Sequence, residues 1–170
     1  MLNVLFIFIQ NPKSIIHNPA KGGSLPPNTD NRQRTTDNSF SSSDTVMIVK
    51  RFEDLEVYQL ALSLQGEIYR ITKEFPQDER YSLTDQIRRS SRSVGANIAE
   101  AWHKRRYPAH FASKLTDADA ECGETRHWLQ TSLDCEYVTG ELFENLTERC
   151  LEIGAKLGHM IQNAEAWQPR

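Results

Sequence analysis

From Phe52 onward the apolar positions recur with helical spacing. Val57, Ala61, Leu64, Ile68 and Ile71 follow one another at steps of four, three, four and three, and Phe75 extends the stripe by four more. That alternation keeps side chains on one face of a helix. A first helix is therefore predicted from about Glu53 to Glu74, stopped by Pro76. Leu55, Tyr58, Leu62 and Tyr69 widen the face, which predicts burial on two sides. A second helix is predicted from Ser82, an N-cap residue with Asp85 three positions later in the manner of a capping box. Its stripe reads Leu83, Ile87, Ser90, Val94, Asn97, Ala101. A third follows Tyr107, with Pro108 suited to a first turn, on the stripe Phe111, Leu115, Ala118, Cys122, Thr125, Leu129, Ser132. A fourth follows Thr139-Gly140 and carries Leu142, Leu146, Cys150, Ile153, Leu157, Met160 or Ile161, and Ala164. No useful stretch alternates with the period of a strand. Four amphipathic helices joined by short connections predict an all-α, antiparallel up-down-up-down four-helix bundle over residues 47–170.

Residues 1–46 have a different composition. Asn, Pro, Ser, Thr and Gly dominate from residue 10, as in Pro26-Pro27-Asn28-Thr29-Asp30-Asn31. Such a stretch buries too little apolar surface to offset the entropy of ordering. It is expected to be disordered, or else the natural start is Met47 and the extension is a gene-model artefact. The apolar run Leu2 to Ile9 is far short of the roughly 20 residues that cross a bilayer. It lacks a basic flank and a cleavage motif, so neither a signal peptide nor a membrane partner is expected. Three cysteines, Cys122, Cys135 and Cys150, with no C-x-x-C spacing, suit the cytoplasm better than a disulfide scaffold.

The second helix departs from an ordinary bundle helix. Ser90, Asn97 and Ala101 stand where Leu or Ile is usual, and Ser91, Ser93, Gly95, Ala96 and Ala99 keep the rest small. Small residues let two helices approach closely, or they mark a surface that meets another subunit. An inward Asn97 would need a hydrogen-bond partner, and such a residue often fixes register or assembly.

Charge is segregated although the whole chain nets only -3. Residues 80–106 hold seven Lys or Arg against two acids, while residues 107–170 hold five basic and eleven acidic residues. Arg89, Arg92, His103 and Arg106 share an outward stripe if the helix runs that far. A basic stripe is a phosphate-binding footprint, a solvated face with Asp85 pairing Arg88 or Arg89, or a contact for acidic protein. Tyr81, Trp102 and Tyr107 are near enough to stack on bases.

Two E-x-x-H pairs, Glu100/His103 and Glu124/His127, are the pattern of a di-iron bundle, with Glu67 and Glu152 available as further ligands. Their phase argues against it, since Glu124, His127 and His103 all point away from the seams. No phosphate loop, nucleophile elbow or catalytic carboxylate pair is present. Neither an enzyme nor a cofactor or metal is expected.

Several runs together carry a resemblance: Phe52-Glu53-Asp54-Leu55-Glu56-Val57-Tyr58, Phe75-Pro76, Leu83-Thr84-Asp85-Gln86-Ile87-Arg88-Arg89-Ser90 and Ser93-Val94-Gly95-Ala96-Asn97-Ile98-Ala99-Glu100. Over about 120 residues the chain resembles the bacterial four helix bundle protein family. That family includes S23-like proteins encoded by intervening sequences of large-subunit ribosomal RNA genes, and the chain is similar to the accessory variability determinant of diversity-generating retroelements. The resemblance implies an antiparallel bundle, a homopentamer with a central channel, and a basic surface that engages nucleic acid or a reverse transcriptase. Arg88, Arg89 and Arg92 match the basic part of the family's second-helix motif, and Asn97 and Glu100 match its end. The chain departs from the family at Ala101-Trp102 and at Glu121-Cys122-Gly123-Glu124-Thr125.

The resulting expectation is a cytoplasmic, non-enzymatic homo-oligomer. Arg88, Arg89, Arg92, Lys104, Arg105 and Arg106 would contact RNA or DNA, and Asn97 and Glu100 would serve assembly. The alternative is a structural adaptor whose basic helix meets an acidic protein surface.

Overall fold

The computed structural model describes residues 49–169, and the expectations for residues 1–46 lie outside them. Within the described residues the chain forms α1 (Glu56–Ile71), α2 (Leu83–Lys104), α3 (Pro108–Asp134) and α4 (Gly140–Gln162). Single 3-10 turns at Phe52–Asp54, Gln77–Tyr81 and Ala164–Trp167 flank them, and no strand is present among these residues.

Cross-helix contacts give the helix directions. Ser90 meets Thr125 while Glu100 meets Lys114, so α2 and α3 run oppositely. Thr72 meets Arg88 while Gly95 lies against Tyr58, which opposes α1 and α2. Cys122 reaches Cys150 while Asp119 approaches Gly154, opposing α3 and α4. Glu67 pairs with Arg149 and Glu56 with Lys156, opposing α1 and α4. Each helix thus opposes both neighbours, which is the up-down-up-down arrangement.

The core is built from the stripes that the sequence predicts. Val57, Ala61, Leu64 and Ile68 of α1 are buried, as is every predicted α3 position from Phe111 to Ser132. In α4 the buried set is Leu146, Cys150, Ile153, Leu157 and Met160, with Leu142, Ile161 and Ala164 half-buried. Two polar core positions satisfy each other: the Thr125 hydroxyl lies 3.0 Å from Ser90 Oγ and 2.9 Å from the Glu121 carbonyl oxygen. Cys122 and Cys150 behave as small hydrophobes, with Cys122 Sγ donating to the Cys150 carbonyl at 3.4 Å. The adjacent Cys122 thiol, together with burial, pushes the Cys150 thiol far up, so it stays protonated.

The expectations fail in four places. Leu62 and Tyr69 are each 43% exposed, so α1 is not buried on two sides. It lies at a corner between α2 and α4, and its outer flank faces water. The inward position of α2 is taken by Ile98, fully buried, and Asn97 is only half-buried. The large apolar residues of α2, Leu83, Ile87, Val94, Ile98 and Trp102, are all buried, and position 97 falls to the side of the face they define. The Ser82 capping box does not form, because Ser82 makes no side-chain cap bond to α2. The preceding 3-10 turn brings Glu79 beneath the helix start instead. Its Oε2 accepts from the Leu83 amide at 3.3 Å and from the Ser82 hydroxyl, and its Oε1 accepts from Tyr137 at 3.3 Å. These bonds, the Ser82 hydroxyl first, hold the Glu79 carboxyl below its ordinary range. Finally, α2 stops at Lys104, so Arg106 lies beyond the helix.

The predicted caps elsewhere form. Thr139 Oγ1 accepts from the Leu142 amide at 3.3 Å, and Pro108 sits in the first turn of α3. At one end of the bundle, Phe75 packs on Tyr137 with ring centroids 5.3 Å apart. At the other, Trp167 packs on Trp102 and Phe111 at 6.4 and 6.1 Å.

Candidate nucleic-acid interface

The six cations expected to touch phosphate do not form one patch. Arg89 and Arg92 are exposed on the outer face of α2, whereas Lys104 lies twelve residues further on, about 18 Å along the axis at 1.5 Å per residue. Each has a different local environment.

Arg88 belongs to the helix packing. Its Nε donates to the buried Thr72 hydroxyl at 2.7 Å, and its guanidinium lies 5.0 Å from the Tyr69 ring centroid. Arg105 closes the end of α2, donating to the Trp102 carbonyl at 2.6 Å with its guanidinium 3.9 Å from the Trp102 ring. Lys104 is neutralised by Glu100, one helical turn back. Arg89 donates to Gln86 at 2.8 Å and stands 3.9 Å from Glu124 of α3. Arg92 and Arg106 are exposed, and among the described residues no carboxylate lies within 4 Å of either.

Of the residues expected to serve assembly, Glu100 is occupied within the chain. It pairs with Lys104 and with Lys114 at 3.0 Å, tying α2 to α3. The Lys104 and Lys114 ammonium groups hold its carboxyl below the ordinary range, and Asp117 and Glu100 together raise the Lys114 ammonium. Asn97 is half-buried and makes no side-chain hydrogen bond among the described residues. Glu121 beside this seam is pushed up, first by burial and then by Glu124.

The aromatics named from sequence separate in the same way. Tyr81 and Tyr107 are 84% and 60% exposed, while Trp102 is a core residue. Tyr69 is the aromatic that joins the basic face. Lys73 Nζ sits 4.8 Å from its ring centroid, and the Arg88 guanidinium of α2 lies 5.0 Å from it. Sequence reasoning placed Tyr69 on a buried face and so missed it. The signal available was the spacing of Leu62, Gly66 and Tyr69, which puts all three on one flank of α1, with Lys73 just past its end. The E-x-x-H residues do not converge: Glu100 is held by lysines, Glu124 accepts from Trp128 Nε1 at 3.0 Å, and His103 and His127 are exposed. Among the described residues no three His, Cys, Asp or Glu side chains are grouped to hold a metal, and no helix is long and apolar enough to cross a membrane.

Residues 53–159 match the model of a family described as 23S rRNA-intervening sequence protein. No curated protein matches the chain. Among solved structures it is similar to a crystal structure from Bacteroides thetaiotaomicron, a protein with unknown function from the S23 ribosomal protein family. The two are 32% identical with a TM-score of 0.57, covering 62% of this chain and 95% of that one. With its bundle, its second-helix motif and this match over most of the described residues, the chain belongs to the 23S rRNA-intervening sequence protein family.

Proposed function

We propose that this protein is a non-enzymatic, cytoplasmic, homo-oligomeric bundle that binds RNA through the exposed cations of α2 and of its connection to α3. The observation that carries the reading is the state of Arg92 and Arg106: exposed, and without a carboxylate within 4 Å among the described residues. Unneutralised arginines within residues 80–106, which hold seven Lys or Arg against two acids, give a local positive field that phosphate would answer. The family's description, which refers to an intervening sequence of 23S rRNA, points to the same class of ligand. Arg88 and Arg105 contribute to the field from fixed positions, each anchored by one hydrogen bond and a ring contact. Phosphate contacts carry no sequence information directly, so discrimination between RNA sequences is expected to be poor. The homopentamer rests on the family resemblance.

A second reading, a structural adaptor, draws on the outer flank of α1 and α2. There Leu62 is 43% exposed and Ala96 is exposed, a surface suited to an acidic protein with an apolar edge.

Light scattering of the full chain, with and without mixed RNA at low and moderate salt, tests both. A particle that gains salt-sensitive RNA mass is expected. The triple variant Arg89→Glu, Arg92→Glu, Arg106→Glu should keep its mass and lose RNA. Binding in the parent should weaken with salt more steeply than in single reversals, by about 0.7 in log–log slope for each phosphate contact to a single strand. Unchanged RNA affinity in the triple variant refutes the RNA reading, and loss of the oligomer in its place favours the adaptor.

A further inference from the structure

Several cations of the bundle are answered by a carboxylate. Arg51 has Asp54, Arg70 and Arg149 share Glu67, Lys156 has Glu56, and Lys104 and Lys114 share Glu100. Lys73, Arg88 and Arg92 are among those that are not. Among the described residues no carboxylate oxygen lies within 4 Å of any of them. They gather around Tyr69 instead. Lys73 Nζ and the Arg88 guanidinium lie 4.8 and 5.0 Å from its ring centroid, and Arg92 lines an open hollow of about 350 Å3 with Tyr69, Gln65 and Gly66. Asp85, an exposed acid three residues before Arg88, flanks the cluster without pairing to it.

Two cations against one aromatic ring and a third at the adjoining hollow, with no carboxylate paired to any of them, form a site whose repulsion an anion relieves. The floor of the hollow is Gly66. A Cβ added there would meet no atom within 4 Å, so the space above the α1 backbone is open. Arg88 is half-buried and anchored to Thr72, whereas Lys73 is exposed and free to leave the ring for a ligand. The hollow is open on its outer side, so it offers a shallow seat at the surface and not an enclosed pocket.

We infer that this hollow seats one nucleotide of a single-stranded RNA, its phosphate held by Lys73 and Arg92 and its base against the exposed Tyr69 ring. The inference rests on the RNA-binding reading above and narrows it. A duplex offers phosphates but keeps its bases stacked inside, so only a single strand can present a base to the ring.

Fluorescence anisotropy of a short labelled oligouridylate with the full chain tests it. Gly66→Leu fills the hollow and changes no charge, and it replaces a helix-interior glycine with a better helix former, so the fold is retained, as far-UV circular dichroism would verify. Gly66→Leu and Tyr69→Ala are each expected to weaken oligouridylate roughly tenfold, within the range for loss of one base–aromatic stack. Tyr69→Phe should bind like the parent. Binding of heparin and of a duplex RNA should be insensitive to Gly66→Leu. Parent-like oligouridylate affinity in both Gly66→Leu and Tyr69→Ala overturns the inference. So does an equal loss for heparin, which would mean that the hollow reads charge alone. If Gly66→Leu binds normally while the triple charge reversal does not, the nucleotide seat falls and the broader RNA reading stands. If the parent binds no RNA at low salt, both fall.

Discussion

Arg88 and Arg92 are four residues apart on one helix and look alike in sequence, yet their replacement should have opposite consequences. Arg88→Ala removes a charged donor from the buried Thr72 hydroxyl at 2.7 Å and a cation from the Tyr69 ring. A hydrogen bond to a charged group contributes about 1.5–3 kcal/mol, and half-burial places this one near the lower figure. A cation–π contact at an exposed ring adds about 0.5–1 kcal/mol. The expected loss is therefore about 2 kcal/mol, or roughly 8 °C in Tm for a bundle of this size. Arg92 makes no such contact, so Arg92→Ala should change stability by no more than about 0.5 kcal/mol while weakening RNA binding. Urea unfolding followed by far-UV circular dichroism measures the first effect, and anisotropy measures the second. A Thr72→Val background should shrink the Arg88→Ala penalty, because the lost partner is then already absent. Equal destabilisation by the two alanines, or a penalty unchanged in the Thr72→Val background, would refute the division of roles.

Other outcomes follow from the packing. Gly95→Ala should stabilise the bundle by about 0.5–1 kcal/mol, because the new Cβ meets Tyr58 Cε2 at an ordinary 3.7 Å; a lower urea midpoint would mean that the seam is tighter than it looks. Thr125→Val should cost about 1 kcal/mol, and combining it with Ser90→Ala should cost less than the sum of the singles, since both ends of one buried hydrogen bond are then removed together. Glu79 and Glu100 both have folded pKa values below their ordinary 4.5, so their stabilisation is present above that value and is lost as pH falls through the depressed ones. Glu100→Gln should flatten the acid limb of a stability–pH profile, and an unchanged limb would count against the Lys104–Glu100–Lys114 bridge.

The bundle itself was legible because large apolar residues report helical phase strongly. Every predicted core position of α3 is buried, and α1 needed only Val57, Ala61, Leu64 and Ile68 to fix its inward face. Legibility failed where side chains are small. Ser91, Gly95 and Thr84 are buried in α2, but nothing in their chemistry says so, and Asn97 was read as inward when Ile98 is. The basic stripe was visible as a charge pattern, but the division of labour within it was not. That Arg88 is claimed by Thr72 and Arg105 by Trp102 depends on which groups sit across the helix interface or at its end. The Tyr69 cluster was hidden for the opposite reason: an aromatic near an apolar stripe looks like core, and only the corner position of α1 turns it outward.

The Glu79 carboxylate gathers three donors from two places: Ser82 and Leu83 at the start of α2, and Tyr137 in the connection between α3 and α4. Two loops distant in sequence are thereby fastened at one end of the molecule. Their local opening should be a single event, so that the Leu83 and Tyr137 amides exchange with solvent deuterium at matched rates and quicken together when the carboxylate is removed. The opposite end depends on Trp167, near the end of the chain, lying against Trp102 and Phe111, and it should open independently. The two ends of one short bundle are therefore expected to breathe separately.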